Sequence, residues 1–294
     1  MPENRLTLHI GLPKTATTTI QRTSFDNHTL LKNLGVDYCP ELCGIGMHQN
    51  AKAHHSLPTF VCSPNSVHYK KLDESLIVEA LKKSGELLLS SEGFTMAGPK
   101  HIQYIVDNWK LPENRRVVLV IRDELARLRS QWMQAVKTGH QYCSFKDYYL
   151  NFYKKGRSTV TQKVAIWEKF GFTPCVLRYE DLKASEKNMT AAFLESIYDI
   201  DIPMENWVQK KNANVSPAPA FVDCYQKFIN RVLVFDKATD LVKEKLHPRY
   251  RRAVHNAFST SKFFQPFVKD DRYLADLEFV KNSLQTLPAF DDWG

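Results

Sequence analysis

Lys14 is followed by a run of hydroxyls, Thr15, Thr17, Thr18 and Thr19, and preceded by the turn Gly11-Leu12-Pro13. A turn that opens a helix presents free backbone N–H groups at the positive end of the helix dipole. Lysine adds a point charge there, and the threonines add short donors. Together they suit an anion, a phosphate in particular. A second set lies far along the chain: Arg122 ends an apolar run, and Ser130 follows eight positions later, two turns along the next helix. A guanidinium at a strand end repels a metal ion and attracts a second phosphate. The residues therefore point to two anion subsites, Lys14–Thr18 and Arg122/Ser130, and to a nucleotide with phosphates at separate positions.

Other chemistries fit less well. A P-loop nucleotidase needs GxxxxGK[ST]. Here Gly11 is followed by Leu-Pro-Lys-Thr-Ala-Thr-Thr, so the second glycine is missing and the lysine comes early. Such enzymes help hold magnesium with an aspartate after an apolar strand, where this chain has Arg122. Cys39 and Cys43 with His48, His54 and His55 could hold zinc, but their spacing is not that of a finger or ribbon. No metal is expected.

The composition of the 294 residues, 43% hydrophobic, allows a sizeable core. No run of eighteen apolar residues is present, so no membrane span is expected. The start, MPENRLTLHIG, lacks the basic, apolar pattern of a signal peptide. With six scattered cysteines it implies reduced thiols in a cytoplasm. The net charge of +8 suits an anionic ligand. No basic stripe is interleaved with aromatics, so nucleic acid is not expected.

Elements must hold these residues in place. Leu6–Ile10 reads as a strand leading into the anion turn, and Thr17–Asn33 as the first helix. Val36–Tyr38 reads as a short strand. From Cys39 to Leu72 prolines and glycines interrupt the pattern, and Asp73–Lys83 is helical. Glu86–Ser91, with the unbroken apolar run Leu87–Leu89, and Arg116–Ile121, apolar from Val117 on, suit strands buried on both faces of a parallel sheet. Glu92 stands just past the first of these, where open α/β sheets bind ligands. Helices over Pro99–Trp109, Glu124–Gly139, Phe145–Lys155 and Thr159–Phe170, a strand over Pro174–Tyr179 and a helix over Met189–Tyr198 complete an alternation typical of a covered parallel sheet. Beyond Asp201 only helices are expected, over Phe221–Lys237, Pro248–Ser259 and Asp271–Leu284.

These stretches carry a family resemblance. PKTATTTIQ is similar to the 5′-phosphosulfate loop of sulfotransferases that use 3′-phosphoadenosine 5′-phosphosulfate (PAPS), whose usual form is PKTGTT followed by an apolar residue and often Gln. IRDELARLRSQW resembles their 3′-phosphate motif, and LRYEDL a third recurring stretch. LLLSSEGF and Asn214–Ser216 resemble segments of bacterial carbohydrate-type members. The likeness runs over most of residues 5–216. One departure is Ala16, where glycine is commoner; alanine fits a position already helical and excludes a positive φ.

The resemblance implies a P-loop-like, three-layer α/β domain, a central parallel sheet flanked by helices. It would be one domain over 1–294, with a nucleotide-binding core over 5–200 and a helical carboxy-terminal extension over 201–294 packed on it. It implies sulfuryl transfer from PAPS to an acceptor hydroxyl, a glycan or glycoconjugate, without a metal. Lys14 would stabilise the leaving phosphate, Lys14–Thr18 including Ala16 would hold the 5′-phosphate, and Arg122 and Ser130 the 3′-phosphate. Positioning and electrostatics carry such a transfer. The acceptor needs a general base. Glu92 is the first candidate, His55 with His54 the second, and Glu41 the third. Relatives in the Golgi carry a membrane anchor, so a chain without one is expected in the cytoplasm. The rival readings are a nucleotide kinase and a non-catalytic protein that binds a nucleotide or glycan.

Overall fold

The computed structural model describes residues 4–44, 51–63, 73–83, 85–137, 145–154 and 160–209. They fall into two compact units, one of residues 4–122 with 160–209, the other of residues 123–154. In the larger unit β1 (Arg5–His9) leads into α1 (Thr17–Asp26) and α2 (His28–Asn33). Then come α3 (Ser56–Cys62), α4 (Glu74–Lys83), β2 (Glu86–Ser90), α5 (Pro99–Asn108) and β3 (Asn114–Ile121). The smaller unit contributes α6 (Glu124–Lys137) and α7 (Phe145–Lys154). The chain returns to the larger unit with α8 (Val160–Glu168), β4 (Thr173–Arg178), α9 (Tyr179–Ala184) and α10 (Met189–Ile197).

The strands form one sheet in the order β2-β1-β3-β4, and every pairing is parallel. Leu8 lies opposite Leu89 on one side and Val117 on the other. Both faces are covered, which explains the unbroken apolar runs. Leu6, Leu8, Leu87, Leu89, Val117 and Leu119 share a cluster with Ile105, Trp109 and Trp167. Leu88, Val118 and Val120 belong to the other, with Ile20, Leu31 and Phe193. Each such aliphatic side chain contributes roughly 1.5–3 kcal/mol on burial. The expected α/β fold with a helix-flanked parallel sheet is therefore what the larger unit adopts.

Three expectations need correction. The helix expected over Thr17–Asn33 is two helices, α1 and α2, because the chain breaks at Asn27 (φ −111°). The Asn27 side chain stabilises the break by donating to the Thr23 carbonyl at 2.8 Å. The strand expected over Val36–Tyr38 is a single parallel bridge between Asp37 and Leu87. The irregular stretch after Cys39 contains α3. Pro58 interrupts the sequence pattern, but it sits in the first turn of α3, where its missing N–H has no helical partner to lose. The three helices expected beyond Phe221 lie outside the described residues. Among the described residues no helix is long and apolar enough to cross a membrane.

Candidate functional site

In the order β2-β1-β3-β4 the chain passes from β1 to β2 on one side and builds β3 and β4 on the other. The direction reverses between β1 and β3, and ligands of open α/β sheets bind outside the carboxyl ends of strands at such a switch point. The loop of residues 11–16 follows β1, Arg122 follows β3, and Ser91 and Glu92 follow β2. The topology thus gathers the first anion loop, the arginine and the leading base candidate at one end of the sheet.

The loop has an unusual backbone. Lys14 (φ 70°) and Ala16 (φ 63°) are both left-handed, while Thr17 opens a right-handed helix. Alternation of hand turns successive N–H groups toward a common concavity, a nest for an anion. The first hydrogen bonds of α1 run from the N–H groups of Thr19 and Ile20 to the Ala16 carbonyl, at 2.9 and 3.1 Å. Thr17 and Thr18 therefore precede the helical ladder, and their N–H groups belong to the anion end. The first turn of α1 carries no acidic residue. The Thr15 hydroxyl is spent on the turn itself, donating to the Leu12 carbonyl at 2.7 Å. Gly11 permits the close return of the chain: a Cβ there would stand 2.1 Å from Thr17 Cγ2 and 3.0 Å from His9 Nε2.

Ala16 corrects the sequence reading. Alanine was expected to exclude a positive φ, yet the nest imposes one. A left-handed alanine costs about 1–2 kcal/mol, partly offset because glycine would gain unfolded-state entropy of about 0.4–1 kcal/mol. Ala16→Gly is therefore expected to stabilise the protein by about 0.5–1 kcal/mol, read as a higher urea midpoint at unchanged slope. A lower midpoint would show that the left-handed assignment is wrong.

Arg122 binds the loop from the other side of the switch point. Its Nη1 donates to the Lys14 carbonyl at 3.1 Å. Its guanidinium lies over the Tyr179 ring, 4.5 Å from the centroid. Its Nε is buried with no hydrogen-bond partner. Ser130 lies on α6 in the smaller unit and is 8% exposed. Tyr179, which the sequence reading did not single out, is the aromatic platform for the arginine.

Glu92 begins a short 3₁₀ helix, Glu92–Met96, that Ser91 caps by accepting from the Gly93 N–H at 3.2 Å. Phe94 anchors this turn, fully buried edge-on to Trp109 and Trp167. Gly93 lets α3 pack against it, since a Cβ there would stand 2.7 Å from Pro58 Cγ. The Glu92 carboxylate accepts from the Thr17 hydroxyl. Burial pushes its pKa up, and the Thr17 hydrogen bond and then the Lys14 charge oppose that rise. The threonine expected to hold phosphate thus offers its N–H to the loop and its hydroxyl to the carboxylate. A partly desolvated carboxylate beside an anion nest is an arrangement for taking a proton next to a bound anion.

The other base candidates are placed differently. His55 Nδ1 and Ser91 Oγ are 2.9 Å apart, so His55 stands one residue from Glu92 across the α3 contact. His54 is fully buried; its Nδ1 accepts from the Ser90 N–H at 3.0 Å, and Nε2 faces the Cys39 carbonyl at 3.3 Å. Both its ring nitrogens serve the fold. Glu41 lies in a 3₁₀ turn and accepts from the Cys39 thiol at 3.5 Å. Among the described residues no group of three His, Cys, Asp or Glu side chains could hold a metal, and His48 lies outside them.

Burial lowers the pKa of His54 to about 4 and that of His9 to about 3. Both therefore fold neutral. Their contribution is fully present above the unfolded value near 6.5 and is lost as pH falls toward their folded values. Urea unfolding is expected to show a loss of about 2 kcal/mol per histidine between pH 7 and pH 5. Equal midpoints at the two pH values would contradict this.

These features define a class: a parallel α/β protein with a backbone anion nest, an arginine and a desolvated carboxylate at its switch point. In comparisons with known proteins, no family model matches the chain, and no curated protein matches it. Among solved structures, a sulfotransferase from Alicyclobacillus acidocaldarius is similar at 12% identity and a TM-score of 0.42, covering 88% of this chain and 99% of that one.

Proposed function

We propose that this chain is a PAPS-dependent sulfotransferase that sulfates a hydroxyl, on a carbohydrate by its sequence resemblance. The observation that carries the reading is the convergence of the Lys14 loop, Arg122 and Glu92 at the β1/β3 end of the sheet. The residues fit such a donor. The left-handed Lys14 and Ala16 build a nest for the 5′-phosphate, and the unpartnered, buried Arg122 Nε is a donor for the second phosphate. Bound PAPS would supply an activated sulfuryl group on a stable leaving phosphate.

The protein's part is positioning and charge. Thr17 and Thr18 offer backbone N–H groups at the start of α1, and Lys14 adds positive charge where the leaving oxygen becomes negative. Arg122 fixes the loop through the Lys14 carbonyl. Glu92 takes the proton of the acceptor hydroxyl, and His55 stands next to it as the runner-up base. The role of Ser130 rests on the sequence resemblance alone.

Thermal-shift titration tests the reading. 3′,5′-Adenosine bisphosphate at a hundred times its Kd, with a chelator present, should stabilise the fold by about 2.7 kcal/mol. Stabilisation by ATP only, and only with magnesium, would favour the kinase reading and overturn this one. Stabilisation by the bisphosphate with no transfer to any hydroxyl acceptor would favour the non-catalytic reading.

A further inference from the structure

His9 has no part in the reading above, yet it occupies the floor of the anion loop. It is the last residue of β1 and fully buried. Its ring packs against Phe193, centroids 4.7 Å apart. Nδ1 lies 2.8 Å from Ser90 Oγ, whereas Nε2 is buried with no hydrogen-bond partner. That orphaned nitrogen is 3.0 Å from where a Cβ on Gly11 would stand, on the side of Gly11 where the Thr17 Cγ2 methyl packs. The unpartnered atom therefore faces the base of the loop.

The tautomer follows from accounting for donors. Ser90 is fully buried. If its hydroxyl donates to Nδ1, the serine is satisfied and one Nε2–H is left over. If Nδ1–H donates to the serine instead, the serine proton and the Nε2 lone pair are both stranded. Each buried unsatisfied group carries a desolvation penalty, so the arrangement that strands one group wins over the one that strands two. Burial also keeps the ring neutral. The outcome is a fixed imidazole N–H donor beneath the loop.

We propose that His9 is a positioning residue of the anion site, its Nε2–H, held by Ser90, being a donor that the fold reserves for an anion seated over Gly11 and Thr17. The proposal rests on the anion-site reading but not on the identity of the nucleotide. It adds a side chain from inside the sheet to a site otherwise made of loop backbone, Lys14 and Arg122.

Two substitutions separate the nitrogens. Asparagine can reach Ser90 but has nothing at the Nε2 position; glutamine places an amide N–H near that position. Calorimetric titration with inorganic phosphate and with 3′,5′-adenosine bisphosphate should show His9→Asn weakening both about tenfold or more. His9→Gln should restore most of that loss. Equal losses in both variants, or wild-type affinity in His9→Asn, would overturn the proposal. The ¹⁵N spectrum of wild-type imidazoles keeps the question open to refutation if neither variant folds. The His9 proton should reside on Nε2, unchanged between pH 5 and 8, and its signal should move when phosphate is added. A proton on Nδ1, or a signal indifferent to phosphate, would refute it. If phosphate moves the signal but the bisphosphate binds no better than phosphate, the nucleotide reading fails and the His9 proposal stands.

Discussion

If the chain is the proposed sulfotransferase, Lys14→Ala is expected to lower sulfuryl transfer by at least about 10²–10³-fold, the range for removing one preorganised charge-stabilising group. The fold should survive. Lysine already has φ 70°, and alanine bears the same left-handed cost, so the backbone penalty does not change. Affinity for 3′,5′-adenosine bisphosphate should fall less than turnover, because the nest and Arg122 remain. A second consequence is electrostatic. The Lys14 charge holds the Glu92 pKa down against burial, so removing it should move the acidic limb of the residual activity to higher pH. Single-turnover transfer measured across pH tests both points. A variant within about tenfold of the parent rate would refute the role given to Lys14, and an unmoved limb would refute its coupling to Glu92.

Glu92→Gln should retain the nucleotide and lose transfer by about 10²–10⁴-fold, the usual worth of a positioned general base. Glutamine can still accept from Thr17, so the turn at Glu92 should hold. On the proposed reading the acidic limb of the unmutated protein should lie above the ordinary carboxyl value of 4.5, because burial raises this group, and it should vanish in the glutamine variant. Stability has the opposite dependence. A carboxyl with a raised folded pKa favours the fold most below its unfolded value and loses that contribution as pH rises through the folded one. Glu92→Gln should therefore raise the urea midpoint at pH 7, with the gain fading in acid. If His55→Ala abolishes turnover while Glu92→Gln does not, the base is His55.

Much of the sheet is legible in the chain because buried parallel strands are apolar on both faces. LLL in β2 and VVLV in β3 show no alternation, and both strands are covered on both faces. The anion loop is legible from its residue types, but its shape is not. The left-handed turns at Lys14 and Ala16 are imposed by the return of the chain over Gly11, and neither residue type prefers them. His54 and His55 look alike in sequence and part company in space. The partners of His54 come from Ser90 and Cys39, 36 and 15 positions away, and they make it structural. His9 reads as an interruption in an apolar run; only the missing partner on Nε2 marks it. Tyr179 and the Ser91 contact of His55 are likewise visible only once β4 and α3 are in place.

The side chain of Asn27 has a reach beyond the helix break it stabilises. Its amide group exchanges two hydrogen bonds of 2.8 Å with the backbone of Val208, 181 residues later. At roughly 5–20 residues per second, a ribosome would take roughly 10–40 s to deliver that partner after Asn27 emerges. The corner behind α1 is thus closed by a residue made long after it, and the cradle is braced only when Val208 arrives. A nascent chain stalled before Val208 should carry every residue of the anion loop and yet hold a phosphate ligand poorly.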